Sequence, residues 1–337
     1  MISVSRVNTS QSDTGPIRPV NLRTDLAPLA DLIELVFADS MDSSGRAALR
    51  EMRYLSKMGP GLRLISRVND LATGISMGYV WIEDKKLIGN VSVYPANWPQ
   101  VMGKAYIIAN VGTHPDYQNR GIARRLMQSS MHMIAEKGAD CGLLQVDIGN
   151  DPARHLYRKL GFAEERAFTT WRRSGFVRNT PPTDKSIYMR RRRRSEWRAE
   201  LELCQRTRPQ QHGGVGWLRP LHPGTFRQSL WSRIGNWLSL RGTEYMVAQH
   251  DDDDTLAASM WIENTLAGRT RLTVISRPEA DVRYVEALVN NAVNRYNRTA
   301  LTIEHPADDI RVNNVLRRYQ FTPQRTVMHM RWDAQSG

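Results

Sequence analysis

Residues 111–123 read VGTHPDYQNRGIA and carry the pattern that decides the fold. They follow an apolar run at 105–110 that is typical of a strand, and they lead into a helical pattern that extends to about Lys137. A helix that begins directly after such a loop aims unpaired backbone N–H groups and the positive end of its dipole at one point. Because Gly121 and Ala123 have little or no side chain, that point is open to a pyrophosphate.

Strands and helices alternate around this segment, from Ile17 to Arg194. Ahead of it lie IRPV at 17–20, a helical period from Leu26 to Val36, and two strand-like runs joined by a turn. After it come GLLQVDI, a short helix that Gly161 ends, and further strands. The order predicts an α/β (α+β) fold with a mixed, largely antiparallel sheet flanked by helices.

The same order of elements returns in the second half of the chain. LRP repeats IRP, RLTVISRP repeats AYIIANVGTHP, ALTIE repeats GLLQVD, VLRRYQF repeats LYRKLGF, and a second hairpin repeats the first. Five matches in order indicate a duplication. We therefore predict a disordered leader at 1–16, a first domain at 17–195, a linker at 196–216 without sustained helix or strand period, and a second domain at 217–333.

Charge and cysteine content limit the partners. The chain carries a net charge of +13, much of it between Arg172 and Arg208, and the run at 190–194 is suited to phosphates, a membrane surface or an acidic partner. A solvated strand end is the competing interpretation, and without interleaved aromatic residues nucleic acid is not favoured. Cys141 and Cys204 predict no disulfide framework and no metal site. With no signal peptide and no membrane-spanning run, we expect a cytoplasmic protein, monomeric or homodimeric.

Two separate motifs resemble the GNAT (Gcn5-related N-acetyltransferase) superfamily. The family's pyrophosphate motif is Gln or Arg, two residues, Gly, one residue, then Gly or Ala; the matching residues are Gln118, Gly121 and Ala123. A second family pattern, an Asn, a small residue and a Tyr ahead of Gly-Phe, is matched by Asn150, Ala153, Tyr157, Gly161 and Phe162. The resemblance covers 17–194 well and 217–332 as a degenerate echo, which implies two GNAT-like domains.

The resemblance implies an N-acetyltransferase that uses acetyl-CoA and releases CoA. The acceptor would be a primary amine of a small molecule or peptide, attacking directly in a ternary complex. A backbone N–H, that of Val111, would stabilise the oxyanion, and Tyr157 would protonate the departing thiolate. The residues expected to bind the cofactor are Asn110, Val111, Gly112, Thr113, Gln118, Asn119, Arg120, Gly121, Ile122, Ala123, Arg124 and Asn150.

Two points stay open at this level. The base that accepts the amine proton is Asp147, His114 or Glu83, and we favour Asp147 at the end of its strand. The alternative functions are a non-catalytic acyl-CoA-binding sensor or scaffold, and transfer of a longer acyl or aminoacyl group.

The second half has lost the features that the cofactor needs. Alignment on the shared prolines sets Asp281, Tyr284 and Glu286 where Gln118, Gly121 and Ala123 stand in the first half. Alignment on the shared phenylalanines sets Asp309 at the Asn150 position and Leu316 at the Tyr157 position. A phenol ring and added carboxylates would exclude phosphate, so we predict one acetyl-CoA per chain. The aspartates at 251–254 are expected to be a hydrophilic hairpin tip.

Overall fold

The structure is a computed structural model that describes residues 16–38, 41, 43–57, 77–176, 181, 186–208, 214–227, 242–249, 255–264 and 269–334. The predicted leader, apart from its last residue, and the aspartates at 251–254 lie outside these residues. The chain divides into two compact units. The first comprises 1–96, 104–144 and 333–337, and the second comprises 97–103 and 145–332.

The first unit is a sheet in the strand order β1-β2-β3-β4-β5 with helices packed on it. The strands are β1 Ile17–Pro19, β2 Tyr79–Glu83, β3 Lys86–Pro95, β4 Ala105–Thr113 and β5 Cys141–Asp147, whose last three residues fall in the second unit. The helices are α1 Leu26–Phe37, α2 Ser43–Ser56 and α3 Ile122–Glu136. Only β4 and β5 pair in parallel among these strands.

The contact between α3 and β3 depends on a glycine. A Cβ atom on Gly89 would lie 2.8 Å from Cγ2 of Ile122 and 3.0 Å from Cδ1 of Leu126, so a side chain there would push the helix away. Ile122 is the first residue of α3, so this contact fixes where the helix begins relative to the sheet.

The second unit orders its strands as β12-β6-β11-β10-β9-β8-β7, with β10 and β11 in parallel. The strands are β6 Ala163–Arg173, β7 Met189–Arg191, β8 Gly242–Gln249, β9 Leu256–Asn264, β10 Arg269–Ser276, β11 Ala300–Pro306 and β12 Thr322–Asp333. The helices are α4 Asp151–Lys159, α5 Trp197–Thr207, α6 Pro223–Phe226, α7 Arg283–Arg295 and α8 Ile310–Arg318.

The structure corrects two expectations from the sequence. Residues 196–216 were expected to lack a sustained helix or strand period, but α5 lies there and buries Leu203 and Cys204 in a hydrophobic cluster, which stabilises this short helix. LRP at 218–220 was expected to be a strand; the described backbone there forms an isolated bridge between Gly216 and Arg219, because Leu218 has a φ of +59°.

The predicted mixed α/β fold with sheet and flanking helices is confirmed. The compact units differ from the predicted domain ranges, because β6 of the predicted first domain pairs with β11 and β12 of the second. The boundary near 196–216 stays a prediction. None of the helices in the described residues is both long enough and apolar enough to cross a membrane.

Candidate functional site

The loop between β4 and α3 has the backbone that the sequence predicts for an anion site. A single 3-10 turn at Pro115–Tyr117 is followed by Gln118 in extended conformation, and Asn119 and Gly121 have φ values of +60° and +76°. Gly121 is the N-cap of α3, and nothing lies within 4 Å of a Cβ placed on it. The space beside this N-cap, where the first N–H groups of the helix lack intrahelical acceptors, is therefore open.

Two of the three arginines near this helix start already have a partner within the protein. Arg120 donates to both carboxylate oxygens of Glu83, at 2.9 and 3.0 Å, and Arg125 lies over the ring of Trp81. Arg124 is exposed and forms no ion pair with a described residue. Since the first turn of α3 contains no acidic residue, Arg124 and the helix dipole leave this point positive. Glu83, a candidate base, is already paired with a cation.

Strand β4 bulges at the residues expected to hold the pantetheine arm. Asn90 of β3 pairs with Gly112 but Ser92 pairs with Ala109, so two residues of β4, at 110 and 111, stand opposite Val91. Asn110 has a φ of +52°, and its carbonyl oxygen accepts a hydrogen bond of 3.0 Å from Asn90 Nδ2. A bulge of this kind removes one residue from the ladder and re-aims its backbone groups.

The other edge of β4 is unpaired over the same stretch. Pairing between β4 and β5 runs from Ala105 with Cys141 to Ile107 with Leu143 and then stops. The six remaining residues of β4 therefore have no partner on β5. Backbone donors and acceptors that lack a strand partner are available to a ligand that extends along the strand.

Helix α4 and its N-cap position two residues of the second motif, Asn150 and Tyr157. Asn150 caps the helix, and its Oδ1 accepts the N–H of Ala153 at 3.2 Å. Tyr157 is 7% exposed and packs against Phe162. Burial raises the pKa of Tyr157, so the phenol is protonated at neutral pH. Its hydroxyl makes no hydrogen bond to any residue that the structure describes, so the proton is available for donation.

Asp147 is the favoured candidate for the base that accepts the amine proton. Both of its carboxylate oxygens accept hydrogen bonds of 2.7 Å from Arg325 on β12. The remaining candidate base, His114, accepts the backbone N–H of Asp116 on its Nδ1 and packs edge-on against Tyr117. His114 also lines a cavity of about 680 Å³ between α1 and the β2–β3 hairpin. The catalytic role of Asp147 stays a prediction.

The second unit contains a counterpart of the parted strands, and it is filled. Pairing between β10 and β11 ends at Leu272 with Ile303. Two residues further along each strand, the buried Arg208 donates to the carbonyl oxygen of Val274 at 2.7 Å and contacts His305 Nδ1 at 3.0 Å. Its other terminal nitrogen donates to the carbonyl oxygen of Val215. The guanidinium thus bridges both strands where their own pairing has ended.

The counterpart helices have also changed. Helix α7 begins at Arg283, so Val282, with a φ of −63°, stands at the Gly121 position; the proline-based alignment, which set Tyr284 there, was wrong by two residues. Glu286 lies in the first turn of α7 and pairs with Arg318. Asp309 caps α8 through the N–H of Val312, as Asn150 caps α4, so the predicted correspondence of these two caps is confirmed.

The arginine run at 190–194 is largely engaged within the protein. Arg190 pairs with Glu196, Arg191 with Glu244, and the nearly buried Arg192 with Glu200. Neither a wholly solvated strand end nor a wholly available basic patch describes it.

Sequence reasoning missed three residues: Arg208, Arg325 and His305. No motif marks them, because each acts through a partner far away in sequence. Arg208 is the C-cap of α5. Because the sequence analysis did not predict this helix, it gave no reason to single out the residue at its end.

Part of the chain matches a known protein family and its curated relatives. Residues 50–162 match the model of the acetyltransferase (GNAT) family. A mycothiol acetyltransferase from Rhodococcus jostii is 32% identical over 93 residues, which cover 27% of this chain and 30% of the relative. One from Thermobifida fusca is 41% identical over 61 residues, or 18% of each chain. The chain thus aligns with less than a third of the length of these curated relatives.

Two solved structures share the fold over nearly the whole chain. A GCN5-related N-acetyltransferase from Sphaerobacter thermophilus has a TM-score of 0.60 at 16% identity, covering 95% of this chain and 96% of that one. A tandem GNAT protein from the clavulanic acid biosynthesis pathway has a TM-score of 0.50 at 14% identity, covering 95% and 99%. At these identities the similarity concerns the fold alone.

Proposed function

We propose that this chain, whose residues 50–162 match the acetyltransferase (GNAT) family, transfers an acetyl group from acetyl-CoA to a primary amine. The acceptor is a small molecule, as the name of the mycothiol acetyltransferases indicates for those relatives. Acetyl-CoA supplies the thioester whose carbonyl carbon the amine attacks.

The backbone at the start of α3 is the observation that carries this proposal. Gly121 has a φ of +76°, and no atom lies within 4 Å of the position that a Cβ would take, so the residues present fit a pyrophosphate. The first-turn N–H groups of α3 and the side chains of Gln118, Asn119 and Arg124 would hold it. Arg120 would contribute less, because Glu83 occupies part of its guanidinium.

The bulge in β4 supports the proposed place for the thioester. The unpaired stretch of Asn110, Gly112 and Thr113 would hold the pantetheine arm through backbone hydrogen bonds. The N–H of Val111, at the bulge, would donate to the thioester carbonyl oxygen, where negative charge develops as the amine attacks. A buried oxygen that lacks a partner among the described residues, Thr113 Oγ1, lies at the end of the same stretch.

The residues of α4 and β5 would complete the chemistry. Tyr157 donates its phenolic proton to the leaving sulfur, in line with a pKa that burial raises. Asn150 donates from Nδ2 to a pantetheine amide, since Oδ1 is used by the helix. Asp147 accepts the amine proton while Arg325 orients its carboxylate.

Two glycines at the ends of α3 provide a matched test. Gly121 and Gly138 both have positive φ, +76° and +64°, and both face open space. Valine strains either backbone position similarly. We expect Gly121→Val to weaken acetyl-CoA binding by about 100-fold or more in calorimetry, and Gly138→Val to bind like the parent chain. Equal binding by both variants would remove the cofactor site from this loop.

A turnover assay separates an enzyme from a non-catalytic binder. Release of the free thiol of CoA is measured over time, first with acetyl-CoA alone and then with each of a panel of primary amines that includes amino sugars. Binding of one acetyl-CoA per chain without amine-dependent thiol release from any acceptor would favour the sensor over the transferase.

A further inference from the structure

A second cavity lies wholly in the second unit, and four arginines contribute to its lining. Its volume is about 350 Å³, which is within the range of small-ligand sites. Its walls come from the end of β7, the start of β8, the end of β9 and the C-terminal end of α7. The charged residues that line it are Arg191, Arg192, Arg194, Arg295 and Glu244.

Glu244 holds two of these arginines in place. Its carboxylate accepts from Nε of Arg191 and from Nη1 of Arg295, each at 2.8 Å. Each guanidinium has five N–H donors, so both keep donors that Glu244 does not use. Although partial burial raises the pKa of Glu244, the hydrogen bonds from Arg295 and Arg191 outweigh it and hold that pKa below its usual range. Glu244 is therefore an anion that holds both arginines in place, and its single negative charge neutralises only one of their two positive charges.

The other two arginines have different states. Arg192 is nearly buried, pairs with Glu200, donates to the carbonyl oxygen of Phe226 at 2.9 Å, and lies 4.4 Å from the ring centroid of Tyr245. The carboxylate of Glu200 thus balances the charge of Arg192. Arg194 is exposed and makes no ion pair with any residue in the described ranges. The lining therefore has two more positive than negative charges after Arg192 and Glu200 are paired.

Polar and aromatic groups lie beside these cations. Tyr296 and Asn264 line the same cavity, and Asn264 Nδ2 lies 3.5 Å from the Tyr296 hydroxyl. Fixed guanidinium donors suit the tetrahedral oxygens of a phosphate, and phenol rings suit a flat organic group.

We propose that this cavity binds a small molecule that carries a phosphate group, held by Arg194, Arg191 and Arg295. The site is independent of the acetyl-CoA loop at Gly121, since all of its residues lie in the second unit. The cavity also gives a role to the arginine run, whose exposed members have no use in acetyl transfer.

The test uses the full chain and three probes. Inorganic pyrophosphate presents phosphate alone, AMP presents phosphate with a flat ring, and adenosine presents the ring alone. Calorimetry should detect AMP and pyrophosphate but not adenosine at low ionic strength. Tighter binding of AMP than of pyrophosphate would identify a nucleotide as the source of the phosphate, and equal binding would identify a phosphate without a base.

Three arginine variants locate the binding. Arg194→Gln removes a cation that has no ion pair with a described residue, and Arg295→Gln removes one of the two cations that Glu244 holds. Each should weaken probe binding by about tenfold or more. Arg206→Gln, an equal charge change on an exposed residue whose ion pair among the described residues is with Glu202, should stay within twofold of the parent.

Several results would overturn the proposal. They are the absence of heat with both phosphate probes at millimolar concentration, equal weakening by Arg206→Gln, and binding of a single-stranded oligonucleotide in place of the small probes. Repeating the titrations in Gly121→Val keeps this outcome separate from that of the acetyl-CoA proposal, because that loop contributes no residue to the cavity.

Discussion

Two parallel strand pairs, β4 with β5 and β10 with β11, are each paired at one end only. Beyond the last pair of the first, β4 bulges, so that two of its residues, at 110 and 111, stand opposite Val91 of β3. Beyond the last pair of the second, Arg208 connects the carbonyl oxygen of Val274 to His305. A duplicated chain has thus kept the parted strands twice and used them in two ways.

The difference follows from the need to satisfy buried polar groups. A carbonyl group in a parted, buried strand costs free energy unless it finds a donor. In the second pair, the donor is a side chain from the end of α5, so the fold is complete without a ligand. In the first pair, our proposal assigns that role to the pantetheine of acetyl-CoA. The changed helix start at Val282 agrees with the loss of a phosphate site in the second copy.

Removing the bridging arginine should have the largest effect. Arg208→Met leaves two carbonyl oxygens and a histidine nitrogen without their buried donor, and we expect the free energy of unfolding to fall by about 3–5 kcal/mol. Urea denaturation followed by circular dichroism measures it, and Arg206→Gln, two residues away and exposed, should change it by less than about 0.5 kcal/mol. Equal stability of the two variants would contradict the bridge. Acetyl-CoA stoichiometry should remain one, since the helix start of α7 stays unsuitable.

The next effect concerns one position on two equivalent helices. Tyr157→Phe removes only a hydroxyl that has no described partner, so the fold and acetyl-CoA affinity should persist while kcat falls by about 10²–10³-fold. Leu316, in the same place on α8, provides the control. Leu316→Met should leave kcat unchanged, since volume-conserving core changes are well tolerated. A parent-like kcat in Tyr157→Phe would remove the phenol from the leaving-group step.

A smaller effect distinguishes a base from a structural ion pair. Asp147→Asn should lower kcat by about 10²-fold, because an amide cannot accept the amine proton. Arg325→Gln keeps the carboxylate but removes its partner, so it should retain most of kcat. If both variants lose activity equally, Asp147 only connects β5 to β12, and His114 becomes the candidate to test.

The sequence predicts the elements whose signal is local. The hairpin of β2 and β3, strand β4 and the start of α3 follow from periodicity and from Gly121, whose positive φ needs no distant partner. The cap at Asn150 is equally local, because its acceptor group bonds three residues ahead.

What the sequence does not predict depends on distant contacts. Helix α5 is stabilised by burial of Leu203 and Cys204. The apolar residues Trp197, Leu201 and Cys204 do follow a helical period, but the period covers only two turns and the sequence analysis did not recognise it. In the sequence Asp147 has no visible partner, because Arg325, which pairs with it in the structure, lies 178 positions further along the chain. The alignment error at α7 arose because the proline anchor fixes a loop, and loops change length between copies more readily than helices do.

The last effect concerns two buried histidines of the second unit, His305 on β11 and His329 on β12. Burial lowers the pKa of His305 to about 4 against hydrogen bonding from Asp309, and that of His329 to about 4 against the nearby Glu304. Both are neutral when folded, so as pH falls from 6.5 the unfolded chain gains protons that the folded chain cannot bind, and stability declines. Between pH 6.5 and 5 each histidine should cost about 1.5 kcal/mol. Urea unfolding at both pH values should show about half of this loss in His329→Gln and all of it in His132→Gln, whose histidine is exposed. An unchanged loss in His329→Gln would show that the buried histidines of the second unit do not set its acid sensitivity.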